Sequence, residues 1–237
     1  SVKDDYLTSS GDLLLGIDGM WAPFEPFSKH PRLCSAVAAI SDARGALAAN
    51  ARSTFASLLH LVKTSKGIAQ IDRSTAKAAA RAAEAVEKEG EGVIQGVVDE
   101  YCGHVTEAFY VPWAPNDAGA DYYWTCEKFK DALNKCGEFG AAREKEVEVL
   151  FPAHWGMQHQ VMRRVLAEAR ISLQARLNDM SAPYVRANLP EIGAMLKAAK
   201  VFENQITKLW PKPEGPWFPK GGVEVEGSIS GVVGGYL

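Results

Sequence analysis

No motif that announces catalysis occurs in these 237 residues. There is no nucleophile elbow, no Walker loop, and no GxGxxG between a strand and a helix. The Gly231–Gly234 spacing lies in the tail, follows no strand–helix unit and carries no phosphate-binding signal. Long apolar runs are missing as well: no window approaches 18 consecutive apolar residues, so the chain is expected to lack a transmembrane segment. Charge of one sign is also missing, since 26 Lys+Arg against 29 Asp+Glu leave a net charge of −3. A nucleic-acid partner needs a concentrated basic excess, so none is expected. Cysteine is scarce and scattered: Cys34, Cys102, Cys126 and Cys136 form no CxxC pair, which argues against a zinc site and a disulfide framework. They read as reduced and mostly packing residues, which fits a reducing or organellar-matrix compartment. No catalytic residue, cofactor or metal is expected. The chain opens at Ser1; a cleaved presequence and an expression scar would look the same there.

What is present is helical periodicity. Alanine occurs 34 times, and 17 of these fall between residues 36 and 85. From Pro31 the residues Leu33, Val37, Ile40, Arg44, Leu47, Ala51, Thr54, Leu58 and Leu61 follow at alternating spacings of 4 and 3, an unbroken heptad seam. A helix over 32–64 would be roughly 50 Å long, which calls for another helix beside it. Asp72 is a suitable N-cap for that partner, whose seam is Ile71, Thr75, Ala78, Ala82, Ala85 and Glu89. Each buried Ala contributes only about 0.8 kcal/mol against about 1.5–3 for Leu or Ile, so such a seam gains mainly by letting helix axes approach. Glu89-Gly90-Glu91-Gly92 bends or interrupts it, and Ile94, Val97, Val98, Tyr101, Val105, Ala108 and Phe109 resume an apolar face.

Further helices are expected beyond the stop at Val111–Asp117. One starts after Asp121, carries Phe129 and Leu133, and falters over Cys136–Gly140. A charged one runs from Ala141 to Pro152. A long one spans Gly156–Met180, and a last one opens at Asn188-Leu189-Pro190-Glu191 and ends at Trp210-Pro211. The fold class is therefore all-α: an elongated bundle of long helices with coiled-coil-like seams and arms at both ends. Three regions result: an irregular N-terminal arm over 1–31, a helical body over 32–210, and a Pro/Gly/aromatic extension over 211–237. That extension is read as extended, with a short strand near 222–226.

Candidate ligating groups are sparse. Glu100, His104 and Glu107 miss the Glu-x-x-His spacing of di-iron bundles, and no second copy exists. An i,i+4 surface contact is the simpler reading. His154 and His159 lie five apart, off the three-or-four spacing of one helix face. Haem or small-ligand binding through His154, His159 or His104 is the alternative function. Arg163, Arg164, Arg170 and Arg176, partly offset by Glu168 and Asp179, give one helix a basic side that is either solvated or docks an acidic helix. Aromatics gather at segment ends and in the arms. Trp21, Phe24, Phe27, Trp210, Trp217, Phe218 and Tyr236 are the candidate partner-docking residues; they serve either as interface anchors or as plugs closing the bundle ends.

One stretch resembles a known family. Ala120-Asp121-Tyr122-Tyr123, then Phe129, Leu133 and a break near Gly137, lead into the charged helix Ala141–Pro152. The long helix Met157–Met180, the acidic proline step Leu189-Pro190-Glu191 and the tail Trp210–Pro219 follow. This order resembles subunit d of the mitochondrial ATP synthase peripheral stalk. Ile17-Asp18-Gly19-Met20-Trp21 before a long helix is similar to that family's amino-terminal arrangement. The resemblance covers about half the chain. The helix between about 71 and 110 and the glycine-rich end past Gly221 depart from it, marking a divergent, enlarged member. It implies a non-catalytic subunit on the matrix side of the mitochondrial inner membrane. Its partners would be other protein subunits, and it would brace the catalytic head against the membrane sector. The resemblance brings no catalytic residues.

Overall fold

Small side chains set how the first helices meet. The structure, a computed structural model, describes residues 2–21, 26, 29–63, 71–87, 92–109, 126–178, 189–212 and 229–234. Every regular element among them is helical and none is a strand, so the fold is all-α. The chain divides into two compact units: Ser1–Tyr101 with Glu146–Ala153, and Cys102–Lys145 with His154–Leu237.

The first unit begins with a correction. The expected irregular arm is a helix, α1, over Val2–Trp21. Asp4, Leu7, Gly11 and Leu14 recur at spacings of 3, 4 and 3 and are all buried. Three interior glycines cost about 1 kcal/mol each relative to Ala, which suggests a break. Burial of Leu7 and Leu14, at about 1.5–3 kcal/mol each, outweighs that cost. A Cβ at Gly11 would lie 3.5 Å from the backbone of Arg81 and Ala82, an ordinary contact.

Those two residues belong to α3, Arg73–Glu87, which packs against both α1 and α2, Pro31–Lys63. Ala76, Ala78, Ala79, Ala80, Ala82, Ala83, Ala85 and Val86 are all buried, so α3 is covered on most of its circumference. Ser74 Oγ donates to Asp4 Oδ2 at 3.1 Å, and Arg81 pairs with Asp12 at 2.7 Å. Both pairings advance in the same direction, so α1 and α3 run parallel. Asp72 caps α3 as its position predicts, accepting the Ser74 backbone N–H at 2.9 Å. That hydrogen bond, with the one from the Ser74 hydroxyl, holds the Asp72 carboxyl below its ordinary pKa.

α3 stops at Glu87 and α4 runs from Val93 to Glu107. Gly92 has a φ of +62°, a left-handed conformation that suits glycine. The Glu87 carboxylate accepts the Ile94 N–H at 2.9 Å, satisfying a first-turn donor of α4. Residues 88–91 lie outside the described residues. On α4, Ile94, Val97, Val98 and Tyr101 are buried as the apolar face predicts. Tyr101 donates its hydroxyl to Glu146 Oε1 at 2.7 Å, and Phe151 stacks on Phe55 at 5.9 Å and meets Tyr101 edge-on at 5.0 Å. Glu146, on α6 (Glu144–Leu150), is a carboxylate only 5% exposed. Its hydrogen bond to Tyr101 offsets part of the desolvation cost of that position.

The second unit contains α5 (Cys126–Ala141), α7 (Met157–Asn178), α8 (Leu189–Leu209), α9 (Ile229–Gly234) and, from His154 on, the 3-10 turn Ala153–Trp155. α5 does not falter over Cys136–Gly140 but runs through to Ala141. Gly137 and Gly140 are contact positions there: the Phe202 ring lies 3.4 Å from where a Gly137 Cβ would stand, and a Gly140 Cβ would overlap Met162 Sδ. The tail is not extended throughout, because Ile229–Gly234 is helical and buries Ile229, Ser230, Val232 and Val233. Glu203 fixes that turn by accepting the Ser230 hydroxyl at 2.6 Å and its N–H at 3.2 Å. The strand expected near 222–226 and the Asp121 cap lie outside the described residues.

α5 and α8 run parallel. The Glu191 carboxylate accepts the Cys126 N–H at one end, and Phe202 lies against Gly137 eleven residues further along both helices. α8 buries Ile192, Met195, Ala199, Phe202 and Ile206, while Leu209 is exposed. α7 buries Met157, Val161, Val165, Ala169 and Leu173.

Candidate docking sites

α2 is longer than its own unit covers. On its C-terminal half the seam residues Leu47, Ala51, Thr54 and Leu58 are buried, and Thr54 satisfies its hydroxyl on the Asn50 carbonyl at 2.8 Å. On its N-terminal half Leu33, Val37, Ile40 and Arg44 continue the same rhythm but are only half-buried. No residue from Pro31 to Ala46 is buried. The heptad pattern thus extends past the packing that it builds. Sixteen residues of helix span roughly 24 Å, enough for about four turns of a partner helix.

A second apolar surface lies within the other unit. Leu133 and Phe202 floor a groove along α5 and α8 that encloses about 440 Å³ and is open on one side. Ala194, Ala198 and Val201 line the α8 wall, with Val201 50% exposed. Lys130 and Lys197 stand on its rim from opposite helices, and Asn134 and Gln205 lie further along. Lys130 lies in the second turn of α5 and Lys197 near the middle of α8.

Of the sequence-predicted docking aromatics, Trp210 is half-buried at the end of α8. Its backbone carbonyl lies 3.0 Å from His159 Nδ1 on α7. Burial holds the His159 imidazole below its ordinary pKa; the Trp210 carbonyl opposes this, while Arg163 and Lys212 reinforce it. Trp21 is the last residue of α1. Phe24, Phe27, Trp217, Phe218, Tyr236 and the Trp21 side chain lie outside the described residues.

The candidate ligating histidines do not converge. His154 is exposed in the 3-10 turn, His159 is half-buried against α8, and His104 is half-buried on α4. Among the described residues no group of three or more His, Cys, Asp or Glu could hold a metal ion. Cys102, Cys126 and Cys136 are buried packing residues as expected, with burial pushing the Cys136 thiol up to about 12, while Cys34 is exposed. The basic side predicted for α7 has Arg164 exposed and Arg163 and Arg170 half-buried.

Sequence reasoning missed the groove. Its walls come from two helices that are not adjacent in the chain, and no period along either marks Lys130 and Lys197 as neighbours. No protein-family profile matches this chain, and no curated protein or solved structure matches it either.

Proposed function

We propose that this chain is a non-catalytic structural subunit of a large mitochondrial complex, built to hold partner helices. The observation that carries this reading is the half-covered seam of α2, apolar at heptad spacing over Leu33–Ile40 yet without a buried residue before Leu47. A seam that continues beyond its own packing gains stability from a second helix, since each Leu or Ile removed from water contributes about 1.5–3 kcal/mol. No helix among the described residues is long and apolar enough to cross a membrane, so attachment to a membrane complex would run through other subunits.

The more specific reading is the ATP synthase peripheral stalk, on the matrix side of the inner membrane. Its support is the order of helices. α5 is followed by a two-residue break, α6 ends just before Pro152, long α7 comes next, and α8 opens at Pro190-Glu191 and closes at Trp210-Pro211. That is the order in which the stretch resembles subunit d. The break, however, falls at Ala142-Arg143, two residues past Gly140.

Mass-spectrometric identification of the chains that co-purify from native membranes tests both levels. ATP synthase subunits in fixed ratio are the expected result. A stable partner set without any of them overturns the stalk reading, and a monodisperse monomer that melts cooperatively overturns the subunit reading. A Soret band lost in His154→Ala would replace both with haem binding.

A further inference from the structure

We infer that the groove between α5 and α8 receives an acidic amphipathic helix from a partner protein. The inference rests on the structural-subunit reading and names the chemistry of one of its contacts. Three features point to such an occupant.

The first is charge. Among the described residues the groove's only ionisable lining groups are Lys130 and Lys197, one from each wall. Both are exposed, and neither has an ion-pair partner among the described residues. The nearby Lys135, by contrast, is paired with Asp131 at 2.9 Å. An incoming helix with carboxylates beside its apolar stripe would meet a cation from each side, which fixes orientation as well as sign.

The second is shape. Between Ala194 and Gln205 the α8 wall is about 17 Å long, or three helical turns. That length accommodates apolar anchors at i, i+3 or i+4, and i+7, the usual pattern of a helix laid in a groove. Ala194 and Ala198, four residues apart, keep the α8 wall low enough for a third helix axis to come close.

The third is the open side. An acyl chain lying over Leu133, Val201 and Phe202 would leave one flank in water, because the groove does not close over it. An amphipathic helix supplies its own polar back and leaves no such flank. Asn134 and Gln205, farther along the groove, offer amides to polar groups at the edge of that stripe.

The test uses the full chain in its native assembly, with the photoreactive residue benzoylphenylalanine introduced at Val201. After irradiation the cross-linked peptide is sequenced. The expected product is a peptide of another protein with apolar residues at i, i+3 or i+4, and i+7 and at least two flanking acids. The double variant Lys130→Glu with Lys197→Glu should lower the yield roughly tenfold. Reversing the flanking acids of the cross-linked peptide to lysine should restore it. Both lysines are exposed, so far-UV circular dichroism of the variant should match the parent.

A lipid adduct, a cross-link to this same chain or to a second copy, or a yield indifferent to the double variant would each overturn the proposal. If the chain still sediments with its complex while Val201 gives one of those products, the groove assignment fails and the subunit reading stands. If the chain sediments alone, both fail.

Discussion

Gly11 and Gly140 each sit where two helices come close, yet they tolerate a methyl group very differently. A Cβ on Gly11 would make ordinary contact, 3.5 Å from the backbone of Arg81 and Ala82, whereas one on Gly140 would collide with Met162 Sδ. The difference follows from what faces each glycine. In the first unit the opposing helix is alanine-lined, so two backbones approach and the gap between them is even. In the second unit the residue facing the glycine is large: Met162 of α7, only 1% exposed, fills the space that Gly140 leaves. The first unit packs by bringing axes together; the second packs by interlocking large side chains.

This contrast can be broken at single residues. The largest expected effect is Phe129→Ala in the second unit, which removes a side chain only 1% exposed and should cost about 3–5 kcal/mol in a urea titration. Gly140→Ala follows: the helix-propensity gain is outweighed by displacement of Met162, for a net loss of about 1–3 kcal/mol. Restoring stability by shortening Met162 in the Gly140→Ala background would confirm the contact as the cause. Gly11→Ala, chemically the same change, should instead be neutral or stabilising by up to about 1 kcal/mol, because the contact there is unstrained. Equal losses at both glycines would remove the distinction between the units.

The smallest expected effect is pH-dependent. Burial keeps the folded His159 below its ordinary pKa, while the unfolded ring titrates near 6.5. As pH falls through that value toward the lowered folded one, the unfolded state takes up a proton that the folded state does not. Stability is therefore full above about 6.5 and declines below it, and His159→Gln should flatten that part of the profile. His159 is half-buried, so solvent screening keeps the slope shallow.

The same contrast governs how much could be read from the sequence. Periodic seams were legible: the predicted boundaries of α2, α7 and α8 lie within about two residues of those observed, and Asp72 caps α3 as expected. Glycine misled twice, at α1 and within α5, because its cost to an isolated helix is local while the packing that outweighs that cost depends on a helix elsewhere in the chain. At α1 that packing is the burial of Leu7 and Leu14, and at Gly140 it is Met162, which fills the space a methyl group would need. Tertiary pairs such as Tyr101 with Glu146, or Lys130 with Lys197 across the groove, carry no sequence period at all. Of the seven docking aromatics, Trp210 alone has a described side chain; its half-burial and the contact of its backbone with His159 make it part of the unit's own structure.

The central claim is that the half-buried N-terminal part of the α2 seam holds this chain in an assembly. Replacing Leu33, Val37 and Ile40 by aspartate in the full chain tests it most directly, because these residues are only half-buried within the chain itself. Sedimentation of native membrane complexes and thermal melting of the purified chain would be read side by side. The account predicts a melting temperature within a few degrees of the parent and at least a tenfold loss of the chain from the complex. Incorporation at the parental level, with the same melting temperature, would contradict it.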